Sequence, residues 1–437
     1  MSDKKLWEKG IKTDEFIERF TVGKDRDLDL ELAKYDVQGT IAHITMLESV
    51  GLLEKEELDK LTKELNRILE EVIESGSFEI EEGVEDVHSQ IELMLTRALG
   101  DIGKKVHAGR SRNDQVLVDI RLYLRDQVIE ISKLTKKLFD SLISQSEKNK
   151  EIMMPGYTHT QAAMPSSFGL WFSAYAESLV DDLVLMEGAY KIINRNPLGS
   201  AAGYGSSFPL NRELTTELLG FDGMNVNSVY AQMGRGKTEQ TLAFAMAALA
   251  GTMNKLASDV CLYNSQNFNF LKLPDELTTG SSIMPHKKNP DVFELVRAKT
   301  NTLRTLPNQI MMVSANLTSG YHRDFQILKE LLFPAIAELK DCLFICEYAA
   351  GKIEVQKHIL KDLKYKLIFS VEAVNDLVLK GMPFREAYQK VAQNIEEGDF
   401  VPPKEIKHTH EGSIGNLGNG EIWERMEAIL AGFTNRS

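Results

Sequence analysis

Residues 112–150 contain neither glycine nor proline. Within them Val116, Ile120, Leu124, Val128, Ile131, Leu134, Leu138 and Leu142 recur every three or four positions. That spacing is one apolar stripe of an α-helix. A stripe sustained for so many turns must be covered by other helices of comparable length, so the chain is constrained to a long-helix bundle. A second long helix is expected from near Pro165, because proline suits a first-turn position, running toward Asn194. A third is expected over residues 238–271, a fourth after Pro290, and a fifth over 324–350 with Pro334 as its kink. Shorter helices are expected over 28–49, 55–74 and 84–99, and alternating strand patterns are nearly absent. The expected fold class is all-α, in three helical domains: an N-terminal domain over 1–106, a central long-helix bundle over 107–352 and a small C-terminal domain over 353–437. The alanine-rich face of Ala243, Ala245, Ala247, Ala248 and Ala250 permits close helix approach. It leads us to expect subunits packed helix on helix into a multi-subunit helical core.

The bulk properties exclude several function classes. Among 437 residues, 43% are hydrophobic and 26% charged, as in an ordinary soluble protein. The net charge of −13, with no basic stripe, speaks against nucleic acid as a partner. No apolar run of membrane-spanning length occurs, and the start, Met1 to Glu8, lacks the apolar core of a secretory signal. The three cysteines, Cys261, Cys342 and Cys346, fit a reducing compartment and a cytoplasmic protein. Cys342 and Cys346 share a helix face without a histidine or cysteine partner, which makes them buried apolar residues and not metal ligands. His408 and His410 lack further ligands, and no metal is expected. The run Gly234-Arg-Gly-Lys-Thr238 fails as a phosphate loop, because Ala231 stands where the first glycine is needed.

Four polar clusters lie between the helical stretches: Glu85-Asp-Val-His88; His107-Ala-Gly-Arg-Ser-Arg-Asn-Asp-Gln115; Gly156-Tyr-Thr-His-Thr-Gln161; and Gly280-Ser-Ser-Ile-Met-Pro-His-Lys-Lys-Asn-Pro290, which Glu294 follows. In a bundle such clusters sit at helix ends. In the second, Arg110 and Arg112 flank Ser111, with Asn113 opening the long helix. This can be an anion clamp at a helix N-terminus, an N-cap, or both. In the third, His159 between hydroxyls suits proton transfer near neutral pH, and a carboxylate such as Glu294 would fix its tautomer. In the fourth, glycine frees the backbone to turn N–H groups toward a carboxylate or oxyanion beside Lys287, with Ser281 placed for chemistry.

The order Gly-Ser-x-x-Met-x-x-Lys-x-Asn resembles the signature loop of the fumarase/aspartase superfamily, whose members eliminate across a C–N or C–O bond to release fumarate. The stretch His107–Gln115 and the Lys287-Lys-Asn-Pro290 run resemble, within it, the argininosuccinate lyase/delta-crystallin family. The resemblance spans nearly the whole chain, from about Thr21 onward. It implies reversible β-elimination of argininosuccinate to arginine and fumarate, a homotetramer whose sites draw on three subunits, and no cofactor. It gives Ser281 the role of catalytic base, His159 that of the histidine linked to proton donation, and Glu294 that of its carboxylate partner. Lys287 and Asn289 match groups on the fumarate-side carboxylates, with Ser111, Asn113 and Thr158. Tyr321, Gln326 and Lys329 match the surroundings of the arginine portion, and Thr21, Asp25, His88, Arg112 and Arg235 match further site positions. Thr21 stands where the family often has serine, which keeps the hydroxyl. The rival expectations are another fumarate-releasing lyase, of adenylosuccinate lyase, fumarase or aspartase type, and an idle structural protein on the same scaffold.

Overall fold

The computed structural model describes residues 15–403 and 405–433. The segment from Met1 to Glu8 therefore lies outside the described residues, as does the start of the expected 1–106 domain. The N-terminal part holds α1 (Ala33–Ser49), α2 (Lys55–Arg67) and α3 (Val87–Leu99). The bundle is built from α4 (Arg112–Lys148), α5 (Phe168–Ile193), α6 (Lys237–Asn264), α7 (Asp291–Leu303), α8 (Leu306–Ser314) and α9 (Ile327–Ala350). Three further helices follow: α10 (Ser370–Leu379), α11 (Phe384–Glu396) and α12 (Asn419–Leu430). No helix among the described residues is long and apolar enough to cross a membrane.

At 37 residues, α4 runs about 55 Å at the usual rise per residue. The whole expected stripe is buried or packed against the core, with Ile120, Leu124, Val128, Ile131, Leu138 and Leu142 almost fully buried. Helices α5, α9 and α1 pack on α4, and α6 packs on α5, α7 and α8. The result is one large core, while Val374, Ala387, Val391 and Phe400 form a small separate cluster under α10 and α11.

Several boundaries differ from expectation for identifiable reasons. A β-hairpin, β1 (Met153–Thr158) with β2 (Gln161–Ser167), stands where no strand was expected. Its Pro155 and Pro165 face each other, and Pro165 lies in β2 rather than in the first turn of a helix. The helix starts instead at Phe168, because Ser167 is extended and its Oγ accepts the Leu170 N–H at 3.1 Å. Helix α6 stops at Asn264, where Ser265 turns extended, so Leu271 pairs with Val355 in a two-residue strand. Before α9 the chain winds as a 3₁₀ turn, Arg323–Gln326, and Pro334 sits inside the helix. The 28–49 expectation breaks into Asp25–Asp29, a 3₁₀ turn over Leu30–Leu32, and α1. The 55–74 expectation ends as α2 followed by a π-turn over Ile68–Ile73, and the helix expected from residue 84 begins at Val87, with Asp86 as its cap.

Candidate active site

The short helix Asp25–Asp29, the turn before α3, the start of α4, the turn before α6 and the start of α9 meet around a cavity of about 520 Å³. Each wall is a helix end, for a local reason. Ser111 is extended and caps α4: its Oγ accepts the Asn113 N–H at 3.2 Å, while Asp114 Oδ1 accepts the Ser111 N–H at 2.8 Å. Ser111 is thus the cap, and Ser111, Arg112 and Asn113 also line the cavity, while Arg110 turns to the Thr40 hydroxyl at 3.0 Å. Gly236 has φ of +82°, and Glu239 accepts its N–H at 2.7 Å, so the chain turns sharply into α6 and sends Arg235 inward.

Nine of the expected site residues line this cavity: Asp25, His88, Ser111, Arg112, Asn113, Arg235, Tyr321, Gln326 and Lys329. Thr21 stands at its edge, where its carbonyl accepts bonds from Gln326 Nε2 at 3.1 Å and Arg323 Nη2 at 2.9 Å. Asp29, Glu85, Asp86, His107 and Arg323 also line it. These escaped the sequence reading although Glu85, Asp86 and His107 lay inside the quoted clusters. The available signal was the ionisable type of these three inside clusters already singled out.

The charges are arranged in pairs with one exception. Lys329, 4% exposed, binds Asp25 Oδ1 at 2.9 Å and Asp29. Burial would lower its pKa, but the two carboxylates outweigh this and raise it. Burial raises the Asp25 carboxyl despite the Lys329 charge. Arg112 is held by Asp86 at 3.1 Å and Glu85 at 3.4 Å. His107, half-buried beside Arg110 and Arg112, is pushed down to about 4 by desolvation and by their charges and is neutral near pH 7. Arg235 is the exception. It is 4% exposed, lies over the rings of Tyr321 (5.3 Å) and Phe325 (5.7 Å), and its Nε and Nη1 have no hydrogen-bond partner. Buried donors without partners are costly, and the rest of the guanidinium lines the cavity as a cation.

Six expected site residues stand elsewhere on the chain. Thr158 is the last residue of β1, and His159 with Thr160 forms the two-residue tip of the hairpin, at φ of 53° and 59°. Both are exposed, and left-handed backbone at a β-branched threonine is strained. The hairpin is anchored below its tip by Tyr157, packed edge-on to Phe268 and 3.2 Å from the Tyr365 hydroxyl. Ser281, Lys287 and Asn289 lie on the loop between α6 and α7, most of which is exposed. Its base is pinned where Thr279 and Asn289 exchange N–H···O bonds of 3.2 and 2.9 Å. Ser281 Oγ accepts the N–H groups of Ile283 (3.3 Å) and Met284 (3.1 Å). Glu294 is exposed on α7, 4.0 Å from Arg297, and within this chain it makes no bond to His159.

Among the described residues, one trio has the make-up of a metal site, Asp36, His88 and Asp119, whose ligand-type atoms lie within 4.8 Å of one another. Asp36 Oδ1 already accepts His88 Nδ1–H at 2.8 Å and Gln115 Nε2–H at 2.6 Å, so the trio is a hydrogen-bonded cluster. His408 Nε2 bonds Glu372 at 3.1 Å instead of converging with other ligands.

A family model described as a lyase matches residues 8–303. The chain is similar to the argininosuccinate lyase of Parabacteroides distasonis, 64% identical over 430 residues that cover 98% of this chain and 96% of the relative. The argininosuccinate lyase of Thermotoga neapolitana is 42% identical over 389 residues, 89% of this chain and 98% of that one. Among solved structures, an EDDS lyase variant with bound fumarate superposes with a TM-score of 0.75 at 24% identity, covering 97% of this chain and 91% of the other. A fumarate lyase:delta crystallin from Brucella melitensis gives 0.71 at 17% identity, covering 93% and 90%. At those identities the structural likeness speaks for the fold alone.

Proposed function

The chain belongs to the argininosuccinate lyase family, and from that premise we infer that it catalyses the reversible β-elimination of argininosuccinate to arginine and fumarate. The observation that carries this reading is the cavity itself. Argininosuccinate carries three carboxylates, an ammonium and a guanidinium. The cavity offers the Arg235 guanidinium for a carboxylate, and the Asp25–Asp29–Lys329 cluster for an amino-acid zwitterion. Tyr321 and Gln326 complete the arginine side, and Ser111, Asn113 and Arg112 present hydroxyl, amide and guanidinium at the N-terminus of α4.

The reaction needs a base, a group to hold the developing dianion and a proton for the leaving nitrogen. Ser281 removes the proton from the carbon beside a succinate carboxylate, and the electron pair moves into that carboxylate as an aci-dianion. Lys287, Asn289 and loop amides stabilise the charge where it develops. The pair then forms the C=C bond of fumarate as the C–N bond breaks, and His159, directly or through a water it orients, protonates the guanidino nitrogen. Glu294 fixes the histidine tautomer, and Thr158 binds a fumarate-side carboxylate. Two N–H groups aimed at Ser281 Oγ are what an alkoxide needs, and closure of the pinned loop would exclude the water that makes serine a poor base.

These groups lie outside the cavity of their own chain, so the reading requires sites completed by other subunits of a homotetramer. The bundle offers apolar surface for that assembly: Val184 and Leu185 on α5, Phe244 on α6, Leu295 on α7, Met312 on α8 and Phe344 on α9 are about half exposed or more. Three helical domains with the boundaries given above, a cytoplasmic place supported by three free thiols, and action without a cofactor belong to the same reading. Fumarate release followed by ultraviolet absorbance, with argininosuccinate, adenylosuccinate, malate and aspartate side by side, tests it. Turnover of argininosuccinate alone is expected. Turnover of another substrate, or of none by a folded oligomer, overturns it.

A further inference from the structure

His88, which lines the cavity, is backed by two carboxyls with no part in the reaction as described. Asp36 comes from α1, His88 from α3 and Asp119 from α4, and all three are almost wholly buried. Asp36 Oδ1 takes the ring Nδ1–H and the Gln115 amide, while its Oδ2 has no donor. Neither oxygen of Asp119 accepts a hydrogen bond, and His88 Nδ1 stands 3.4 Å from its Oδ2. A Cβ at Gly39 would meet Asp119 Oδ1 at 3.3 Å, so α1 is pressed against this carboxyl and leaves little room for water there.

Two ionised carboxylates around one imidazolium would leave a net negative charge and three oxygens without donors in a dry pocket. Buried charge of that kind is not tolerated when a proton can remove it. One proton on Asp119 balances the trio, because an oxygen of each carboxyl lies within 4.8 Å of the other and Asp36 Oδ2 is an open acceptor. Burial first, then the Asp36 charge, pushes Asp119 well above the usual carboxylate range. Burial would raise Asp36 as well, but the His88 charge and hydrogen bond, Arg110 and Gln115 hold it down. Burial would lower His88, and Asp36, followed by Asp86 and Asp29, more than offsets it. Arg110 and neutral His107 complete the surroundings. With Nδ1 committed to Asp36, the ring edge carrying Nε2 is the one left for the cavity. A metal reading is weaker, since the oxygen closest to the ring already takes two N–H donors.

We propose that Asp119 is a permanently protonated carboxyl which, through ionised Asp36, holds His88 as a cation with its Nε2–H turned to an anionic group of the substrate. Asp36 is then the positioning residue, Asp119 a neutral donor that balances its charge, and the substrate group is a carboxylate if the argininosuccinate reading on which this rests is correct.

The two carboxyls are told apart by isosteric amides. Asp119→Asn replaces a neutral O–H donor with a neutral N–H donor and is expected to leave kcat and KM within about twofold of the wild type. Asp36→Asn removes the charge that keeps His88 protonated. It is expected to raise KM about tenfold or more with a much smaller change in kcat, as loss of a charge-assisted bond made equally in ground and transition states does. The opposite ranking, equal losses from both variants, or loss of activity on treating the wild type with a metal chelator overturns the proposal. Should Asp36→Asn not fold, ¹³C-labelled histidine in the wild-type protein decides. The signal lost in His88→Gln must report a cation at about pH 8, where an ordinary histidine is neutral, and a neutral His88 overturns the proposal. That spectrum needs no substrate, so it stands even if the wild type releases no fumarate from argininosuccinate, which would refute the functional reading alone.

Discussion

Replacing Arg235 by methionine should stabilise the free protein while crippling its affinity for substrate. The protein itself buries Nε and Nη1 of the guanidinium without partners. Each such donor costs about 1–3 kcal/mol, so the two together cost about 2–6 kcal/mol. Against this stand two ring contacts, to Tyr321 at 5.3 Å and Phe325 at 5.7 Å, worth about 1–4 kcal/mol together. Methionine keeps the apolar contact with the same rings through a flexible thioether. The balance is a stabilisation of about 1 kcal/mol, which for a chain of this size raises Tm by about 1–2 °C.

With substrate the sign reverses. A buried guanidinium facing a carboxylate contributes about 3 kcal/mol, or about a hundredfold in KM. Thermal unfolding with and without argininosuccinate, beside fumarate-release kinetics, measures both quantities. The variant should melt slightly higher when empty and lose most of the ligand-induced rise in Tm. A fall of several degrees in the empty state with KM unchanged would make Arg235 a structural residue and refute the reasoning.

Lys329→Met leaves Asp25 and Asp29 facing each other without a cation and should destabilise the fold by about 3–5 kcal/mol at neutral pH. Burial already raises the Asp25 carboxyl, and removing the ammonium raises it further above its unfolded value. The variant should therefore be most stable below the ordinary carboxylate range and lose stability as pH rises through the folded value, which denaturant titrations across pH will show. Ser281→Ala should lower kcat by about 10³-fold or more with little change in KM, read from initial rates of fumarate release, and a rate near that of the wild type would reassign the base. Gly236→Ala combines a left-handed φ of +82° with a Cβ 2.9 Å from that of Ser314. It should cost about 2–4 kcal/mol by chemical denaturation and raise KM by displacing Arg235.

Elements whose signal is local and repeated were legible in residue order. The stripe on α4 announced a long helix, because 3.6-residue periodicity is written directly into residue order, and a cap by Ser111 or Asn113 was legible from residue type. The loop from Gly280 to Pro290 and the stretch from His107 to Gln115 pointed to the chemistry through residue types at fixed spacing. Whatever depends on residues distant in the chain emerged only from the packing. The β-hairpin under His159 was hidden because two facing prolines and a left-handed histidine–threonine tip carry no strand pattern; its position is set by Tyr157 packing on Phe268. That Arg235 lies under two aromatic rings with donors unpaired, or that Asp36, His88 and Asp119 come together from three helices, has no local signal. Charge burial is a property of the packed whole, since the cost of an unpaired buried group depends on which helices exclude water from it, and residue order alone does not name them.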